Sequence, residues 1–361
     1  MPEHEAAAKI LTEISGLAKN SSEPIRLMEV CGTHTVAIFR SGIRQLLPEN
    51  IRLVSGPGCP VCVTPESYID KAVAYGKQGA IIATFGDMLK VPGSAKSLGE
   101  AEGEGIDARI VYSPLDALRL AEENSERRVI FLSVGFETTT PTTAATLLAA
   151  KARGIKNLLF LAAPKLVPPV LKMLLSDRSV KVDGFLLPGH VAMITGSRAF
   201  EFLPEAYHVP AVVTGFSPLS ILRSILCLTR QITTDAPTLA NEYKEAVSDW
   251  GNATAQEQTD KVYEPCDAEW RGIGFIPSSG LKIRDEFAEF DIEKVSPLAL
   301  AAPPRKTACR CGDVLKGVID PPSCPLFGKV CSPWSAVGPC MVSAEGVCAA
   351  WYKYGNSPIR I

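Results

Sequence analysis

Short apolar runs that alternate with helical stretches constrain the fold of this chain more than any other feature of its sequence. Eight runs have the length and composition of buried strands: Arg26–Val30, Ile51–Ser55, Gly79–Thr84, Arg109–Tyr112, Arg128–Val134, Asn157–Ala162, Val182–Leu187 and Ala211–Thr214. Helix starts follow two of them, at Thr64-Pro65-Glu66 and Ser217-Pro218, where a capping residue precedes a proline. Apolar strands that alternate with helices predict an α/β fold with parallel sheets covered on both faces.

The strands fit either one large sheet or two sheets of about four strands each. The acidic, glycine-rich stretch Gly99–Gly105 is typical of a surface connection, and we place a domain boundary there. The predicted domains are 20–105, 106–232 and 233–361. An apolar stripe at Ile10, Ile14 and Leu17 predicts an amphipathic helix over 5–19, which we expect to pack on the last domain.

The C-terminal third departs from the alternating pattern. Ala236–Trp250 is predicted as a helix, but little periodicity follows Asn252, and proline, glycine and cysteine become frequent. Residues 302–348 lack the apolar pattern that a core of their own would require. We therefore expect a metal centre to stabilise this region.

Charge and hydropathy exclude several classes of protein. Thirty-seven basic and 39 acidic residues give a net charge of −2, which leaves no positive excess for a nucleic-acid backbone. Lys165 and paired prolines interrupt the most apolar region, Leu158–Leu175, so no membrane span is expected. The N-terminus is acidic where a secretory signal is basic, and no long apolar run follows it. We expect a cytoplasmic protein that binds neither nucleic acid nor membrane.

Cysteine is abundant and unevenly placed. Six of the eleven cysteines lie after residue 308, namely Cys309, Cys311, Cys324, Cys331, Cys340 and Cys348. In a reducing compartment, many cysteines in a large chain indicate metal ligation or redox chemistry more often than structural disulfides. Their spacings are unlike those of zinc ribbons, and thiolates from a proline-rich segment suit an iron–sulfur cluster. Structural zinc bound by four thiolates remains an alternative.

Chemically useful residues also gather directly after predicted strands. Four such segments are Cys31-Gly32-Thr33-His34-Thr35, Gly56-Pro57-Gly58-Cys59-Pro60-Val61-Cys62, Gly135-Phe136-Glu137-Thr138-Thr139-Thr140-Pro141 and Pro188-Gly189-His190. Ligands of parallel α/β sheets bind at the carboxyl ends of strands. We therefore expect these segments to line a common cleft.

Cys59 and Cys62 are separated by two residues, which brings both sulfurs within reach of one metal ion or of each other. At the start of a helix, the backbone dipole would also lower a thiol pKa. We interpret the pair as a dithiol that can be oxidised or can ligate iron. Two small buried residues in a tight turn are the alternative.

Cys31 is a single thiol with His34 three residues later. On a helical turn the two residues share a face, so the imidazole could accept the proton of the thiol or steady a bound ligand. A soft thiolate suits iron or zinc. A core cysteine beside a capping histidine is the alternative.

Glu137 and His190 are the other candidate site residues. Gly135–Thr143 resembles a phosphate cradle but lacks the Gly-Lys-Ser/Thr ending of a P-loop. We interpret it as a ligand-facing turn with Glu137 as a candidate proton carrier; simple N-capping by threonine is the alternative. His190 is either a ligand or acid–base group, or a hydrogen-bonded buried histidine.

Together these segments resemble the HypD family of hydrogenase maturation proteins. The resemblance runs in the expected order along nearly the whole chain, through Met28-Glu29-Val30-Cys31-Gly32-Thr33-His34-Thr35, Gly56-Pro57-Gly58-Cys59-Pro60-Val61-Cys62-Val63-Thr64-Pro65, Gly135-Phe136-Glu137-Thr138-Thr139-Thr140-Pro141, Pro188-Gly189-His190-Val191, Arg271-Gly272-Ile273-Gly274, Cys309-Arg310-Cys311-Gly312, Cys324-Pro325-Leu326-Phe327-Gly328, Gly338-Pro339-Cys340-Met341-Val342-Ser343 and Glu345-Gly346-Val347-Cys348. Such a long series of motifs is highly specific.

The resemblance implies two similar Rossmann-like α/β domains and a smaller, irregular domain that carries a [4Fe–4S] cluster. Carried over by position, Cys31 would hold iron together with a cysteine of a partner, and Cys59 with Cys62 would form a redox dithiol near it. The implied cluster ligands, with Cys311 as the alternative to the first, are Cys309, Cys324, Cys331 and Cys348.

The resemblance also implies a task, the assembly of the Fe(CN)2CO unit of [NiFe]-hydrogenases. It implies a small HypC-like partner and HypE as cyanide donor, with HypF upstream of HypE. We therefore expect a maturation factor that combines an iron scaffold with redox chemistry, and whether it is an enzyme stays open. The alternatives are a self-contained iron–sulfur-dependent thiol–disulfide oxidoreductase and a zinc scaffold with no redox role.

Overall fold

The described part of the chain forms two parallel sheets and one antiparallel hairpin. The structure is a computed structural model that describes residues 3–298 and 307–355. In order along the chain, the described strands are β1 Ile25–Glu29, β2 Ile51–Ser55, β3 Ile81–Thr84, β4 Asp107–Ile110, β5 Val129–Ser133, β6 Leu158–Ala162, β7 Gly184–Pro188, β8 Ala211–Thr214, β9 Leu239–Asn241, β10 Tyr263–Trp270 and β11 Gly274–Ile283. The first sheet has the order β2-β1-β7-β8-β9, the second has the order β4-β3-β5-β6, and β10 pairs with β11.

Helices connect the strands and cover the sheets. The described α-helices are α1 Glu3–Ala18, α2 Gly32–Arg40, α3 Ile43–Leu46, α4 Glu66–Lys77, α5 Leu98–Glu102, α6 Pro114–Glu123, α7 Thr140–Ala152, α8 Val167–Ser176, α9 Gly189–Thr195, α10 Phe202–Tyr207, α11 Pro218–Thr233, α12 Ala253–Val262, α13 Ile292–Val295, α14 Cys311–Leu315 and α15 Val347–Tyr354. Short 3-10 helices span Gly86–Lys90, Ser197–Phe200, Asp285–Phe290, Pro321–Ser323 and Pro339–Met341.

The local predictions from the sequence are largely confirmed. All eight predicted strands are present, and every residue of β3, β5, β7 and β8 is buried, as both-face coverage requires. The predicted start at Ser217-Pro218 is also confirmed, because the Ser217 side chain accepts a hydrogen bond from the Ser220 amide at the first turn of α11. The helix α4 begins at Glu66, but Pro65 rather than Thr64 holds its N-cap position.

The sheets do not follow the predicted division of the chain. The predicted boundary near residue 105 falls between β3 and β4, which pair side by side, and β3 also pairs with β5. The chain leaves the first sheet after β2, builds the second sheet over residues 81–162, and returns to the first sheet at β7. The first α/β unit is therefore discontinuous, and the predicted ranges 20–105 and 106–232 each contain strands of both sheets.

Two predicted helices also differ from the structure. The helix α1 packs on α11, where Ile14 and Ala18 share a core with Ile225 and Leu228, so it covers the first sheet and not the C-terminal region. The predicted helix Ala236–Trp250 is absent. Its first part forms β9, which pairs with β8 and extends the first sheet, and turns follow it.

The β10–β11 hairpin joins the two α/β units. At its turn, Trp270 and Ile276 are buried in the core of the first sheet. At its open end, Tyr263 and Ile283 are buried in the core of the second sheet. This hairpin belongs to the range 233–361 that was predicted as one cysteine-rich domain. The physical reason for the difference is that the hairpin buries its apolar faces against both sheets.

The strand order determines where a ligand can bind. In the first sheet, β2 and β7 lie on opposite sides of β1, so the strand order reverses between β1 and β7 while all strands stay parallel. The second sheet has the same kind of switch between β3 and β5. A crevice forms at such a point because the two connections leave the sheet toward opposite faces.

Candidate functional site

A cleft of about 470 Å³ lies between the carboxyl ends of the two sheets. Its walls come from the segments after β1, β2, β5 and β7, with one residue from the C-terminal region: Val30, Cys31, Thr33, Gly58, Pro60, Phe136, Thr138, Thr139, Pro188, His190, Val191, Met193, Ile194 and Glu345. The four segments that were predicted to share a cleft therefore do so. No helix in the described part of the chain is long and apolar enough to cross a membrane.

Cys31 lies at the switch point of the first sheet, in the N-cap position of α2. Its thiol is only 8% exposed, and burial raises its pKa to about 12. The nearby backbone amides of His34 and Thr33 act in the opposite direction, because their N–H dipoles favour the thiolate form. The thiol is thus protonated when no cation is bound, while the amides are in place to stabilise a thiolate.

Glu29 supports the backbone beside Cys31. Its buried carboxyl accepts hydrogen bonds from the Cys31 amide at 3.2 Å and from the Thr35 hydroxyl at 2.6 Å. Burial raises the pKa of Glu29 to about 7, although the hydrogen bonds from Thr35 and the Cys31 amide lower it. Glu29 was not predicted as a site residue, although it lies two positions before Cys31 in the first motif.

His34 is buried beneath the cleft. Its Nε2 lies 3.0 Å from the Gly215 carbonyl oxygen and 3.2 Å from that of Thr214, so Nε2 carries the proton that these acceptors require. Burial lowers its pKa to about 4, which keeps the ring neutral. Nδ1 is buried and has no partner among the described residues. That His34 accepts the proton of Cys31 stays a prediction. Because Nε2 already carries a proton, Nδ1 would have to be the acceptor.

His190 lies in the wall of the cleft. Its ring stacks on Phe216 at 3.9 Å between centroids, and His34 stacks on the same phenyl ring at 4.7 Å. Partial burial lowers the pKa of His190, and the Glu345 carboxylate acts in the opposite direction. Phe216 thus fixes both imidazoles, and its position between two distant motifs was not visible in the sequence.

Glu345 brings a carboxylate from the C-terminal region into the cleft. Its Oε1 accepts a hydrogen bond from the Thr33 hydroxyl at 2.8 Å. Gly32 makes this approach possible, because a Cβ at position 32 would lie 2.5 Å from the Cβ of Glu345. Glu345 was not predicted as a site residue, although its motif with Cys348 was recognised.

Glu137 occupies a different place from the predicted one. Thr138 and Thr139 line the cleft, whereas Glu137 is buried and accepts a hydrogen bond from the Val167 amide at 2.8 Å at the start of α8. Its other carboxyl oxygen has no partner in the described ranges. Burial raises the pKa of Glu137 to about 7. Its observed contact is that of a helix cap, and a proton-carrier role remains untested.

Cys59 and Cys62 lie in a turn behind the cleft wall. Both thiols are buried, and the Cys62 amide donates to the Cys59 sulfur at 3.3 Å. The turn packs against Cys31 through Gly58, where a Cβ would lie 2.2 Å from the Cys31 nitrogen. The expectation of a lowered thiol pKa at a helix start is wrong for Cys62. The helix α4 begins only at Glu66, and burial raises the pKa of Cys62.

All six C-terminal cysteines surround one small cavity. Its other walls are apolar, formed by Val314, Leu326, Phe327 and Met341 with the backbone of Gly338. Cys311 and Cys340, which the sequence left without a role, line it alongside the four predicted ligands. In the described residues no three His, Cys, Asp or Glu side chains form a group that could hold a single metal ion.

Cys340 connects this cavity with the Cys59–Cys62 turn. Its thiol is within hydrogen-bond reach of both Cys62 and Cys348, and the Cys62 thiol also donates to the Pro339 carbonyl at 3.9 Å. A continuous series of sulfur contacts therefore leads from Cys59 to the cavity. The sequence could not indicate this contact, since 277 positions separate the two segments.

Comparison with known proteins assigns the family. The family described as "HypD: Hydrogenase formation hypA family" matches residues 5–355. Hydrogenase maturation factor HypD of Escherichia coli (strain K12) is 46% identical over 347 residues, which cover 94% of this chain and 92% of that protein. Hydrogenase maturation factor HypD of Azotobacter vinelandii is 44% identical over 339 residues, covering 92% and 89%. A putative hydrogenase expression/formation protein of Methanocaldococcus jannaschii is 41% identical over 346 residues, covering 96% of both chains. This chain therefore belongs to the HypD family of hydrogenase maturation factors.

Proposed function

We propose that this chain is the scaffold on which the Fe(CN)2CO unit of [NiFe]-hydrogenases is assembled. In this proposal a small HypC-like partner shares the iron, and HypE supplies cyanide that originates with HypF. The observation that carries the proposal is the position of Cys31, a single thiol at a topological switch point. Among the described residues it is the one cysteine in the cleft wall, which leaves coordination positions for a partner's ligand and for diatomic ligands.

The chemistry of the cargo suits a single soft anchor. Cyanide and carbon monoxide bind strongly to low-spin ferrous iron, so a scaffold must offer few ligands and leave positions open. When ferrous iron binds, the Cys31 thiol loses its proton, and the amides of Thr33 and His34 stabilise the resulting thiolate. His190 and Glu345 flank the cleft and are the groups best placed to accept that proton or orient an incoming ligand.

The Cys59–Cys62 pair supplies redox chemistry next to the anchor. Oxidation of the two thiols to a disulfide breaks two S–H bonds, forms one S–S bond and releases two protons and two electrons, which the C-terminal cluster proposed below would accept one at a time. The turn that carries Cys59 and Cys62 packs on the backbone of Cys31 through Gly58. A change in the geometry of this turn on disulfide formation would therefore move Cys31. The contact between Cys62 and Cys340 gives the pair a thiol neighbour in the C-terminal region.

The C-terminal cavity has the donor set that a [4Fe–4S] cluster requires. Cys309, Cys324, Cys331 and Cys348 would hold it, with Cys311 as the alternative to Cys309, in a sulfur-lined pocket with apolar walls. A cluster distributes its four thiolates over four irons, so its ligands need not converge as closely as those of one ion. When bound, such a cluster supplies electrons one at a time.

Substitution of the anchor tests the proposal. Wild type, Cys31→Ala and the control Cys227→Ala are each co-produced anaerobically with a HypC-like partner and examined by infrared and visible spectroscopy. We expect cyanide and carbonyl bands in the wild type and the control, and their loss in Cys31→Ala with the visible absorption unchanged. Bands that persist in Cys31→Ala would overturn the proposal. A wild type that lacks these bands but reduces protein disulfides without a partner would favour the oxidoreductase alternative.

A further inference from the structure

A second cavity, separate from the cleft, lies beside the edge strand β2. It measures about 780 Å³ and shares no wall residue with the cleft around Cys31. Its walls come from β1, β2, the α2–α3 region, the segment before β7 and the C-terminal region around Asp320 and Trp351. A volume of this size is typical of small-molecule sites, which span roughly 300 to 1,000 Å³.

The walls of this cavity carry an excess of positive charge. Four basic side chains, Arg26, Arg44, Arg52 and Lys181, face two acidic ones, Glu49 and Asp320. None of the four basic groups forms a salt bridge within the described ranges, whereas basic side chains elsewhere do, for example Lys71 with Glu293 and Lys316 with Asp177. The chain as a whole has a net charge of −2, whereas the walls of this cavity have a net charge of +2. The positive charge is therefore local to the cavity.

Strand pairing holds two of these groups close together. Arg26 and Arg52 are register partners on the parallel strands β1 and β2, so like charges lie side by side. Such a pair is unfavourable unless a counter-charge lies nearby. The neighbouring Asp183 carboxylate accepts the Arg26 backbone amide at 2.7 Å, and no contact joins it to either guanidinium.

Arg44 is the most constrained of the basic groups. Its guanidinium lies 5.0 Å from the ring centroids of both Phe39 and Trp351, which fixes its plane. Its Nε and the Nε1 of Trp351 are both buried donors with no acceptor in the described part of the chain. Two unpaired buried donors in one wall are costly unless a ligand supplies acceptors.

We propose that this cavity binds a small phosphate-bearing polyanion. Guanidinium groups match phosphate oxygens with paired hydrogen bonds, and several of them around one cavity select for more than one negative charge. Arg26 and Arg52 contact the anion from the sheet edge, and Arg44 contacts it from the side where Trp351 lies. Trp351 lies one turn after Cys348 on α15. An anion that contacts Trp351 would therefore act on the same helix that carries Cys348. This inference does not depend on the proposed function.

Calorimetric titration of the anaerobic full-length chain tests the site. The probes are inorganic tripolyphosphate and ATP, each without divalent metal and at constant ionic strength. We expect saturable binding of one anion per chain, with a change in tryptophan fluorescence that is absent in Trp351→Phe. Tighter binding of ATP than of tripolyphosphate identifies a phosphate ester as the ligand class, and equal binding identifies the phosphates alone; both outcomes support the site.

Substitutions make the assignment specific. Arg52→Gln and Arg44→Gln should each weaken binding by about tenfold or more, since each removes a charged hydrogen-bonding group. Arg223→Gln, which removes an exposed arginine on α11, should leave binding unchanged. Because Arg52 is exposed, its variant stays informative even if Arg44→Gln fails to fold. Absence of saturable binding in the wild type, or wild-type affinity in Arg52→Gln, would overturn the proposal.

Discussion

Burial shifts the residues around Cys31 toward their uncharged forms. The same desolvation raises the pKa of Cys31 to about 12 and that of Glu29 to about 7, and it lowers that of His34 to about 4. Each group is therefore driven toward its neutral form in the absence of a cation. In the proposed function, a ferrous ion would reverse this preference, because its charge favours the thiolate and the carboxylate. Cys31 would then exchange its proton for the metal.

Glu137 gives the first prediction, a pH dependence of stability. Its pKa in the folded protein, about 7, exceeds its ordinary value of 4.5, so the folded state binds the proton more tightly. The stabilisation is complete below pH 4.5 and is lost as the pH rises to 7, by up to about 3 kcal/mol. Glu137→Gln keeps an acceptor for the Val167 amide but cannot ionise, so its free energy of unfolding relative to wild type should increase with pH.

Urea unfolding at pH 5, 6, 7 and 8 measures this difference. Glu257→Gln, at an exposed position on α12, is the matched control and should show a smaller change with pH. Parallel profiles for Glu137→Gln and wild type would contradict the burial argument.

Helix α1 illustrates how element packing differs from chain order. Ile14 is fully buried against α11, so Ile14→Ala should lower the free energy of unfolding by about 3 kcal/mol. Lys9→Ala, on the exposed face of the same helix, should change it little. Because α1 covers the first sheet, folded Ile14→Ala should keep the visible absorption that the proposed function assigns to a cluster at the C-terminal cysteines. Loss of that absorption would instead place α1 on the cysteine region.

Local patterns predicted the elements, but not which elements pair. Ala211–Thr214 was predicted with its observed bounds because a fully buried parallel strand is apolar on both faces. Ile51–Ser55 was also predicted with its observed bounds, although it is an edge strand in which Arg52 is exposed. The pairing of β3 with β4 across Gly99–Gly105 is a long-range choice that no local signal encodes. Likewise, Ala236–Trp250 has a helical pattern, but its residues Leu239–Asn241 form β9 instead. The reason is that the edge of the sheet at β8 offers backbone hydrogen bonds to a strand.

The same limit applies to the site. Cys31 and His190 follow strands, so the rule for carboxyl ends of parallel sheets located both. Glu345 and Cys340 come from an irregular segment about 150 residues after β7, and only the folded chain brings them to the cleft and to Cys62. Their positions follow from close backbone packing, as at Gly32, where a side chain would displace Glu345.

At the scale of the whole molecule, the C-terminal region supplies side chains to the cleft between the two sheets and to the cysteine pair behind it. It adds Glu345 to the cleft between the sheets, and it adds Cys340 to the thiol pair behind the cleft wall. Leu315 and Cys340 are buried in the same core as Met28 and Val30 of the first sheet. In the proposed function, a redox change at the cysteine cavity would therefore have a direct packed route to Cys31.

Cys340→Ala tests that route, because it removes the thiol that contacts both Cys62 and Cys348. In the proposed function, the variant should keep its visible absorption, since Cys340 is not among the four proposed ligands. Reduction of the Cys59–Cys62 disulfide by dithionite should slow by about tenfold or more, measured by alkylation and mass spectrometry. Cys227→Ala, in α11, should behave as wild type. An unchanged rate in Cys340→Ala would exclude the sulfur contact as the route, and loss of the absorption would make Cys340 a ligand of the centre.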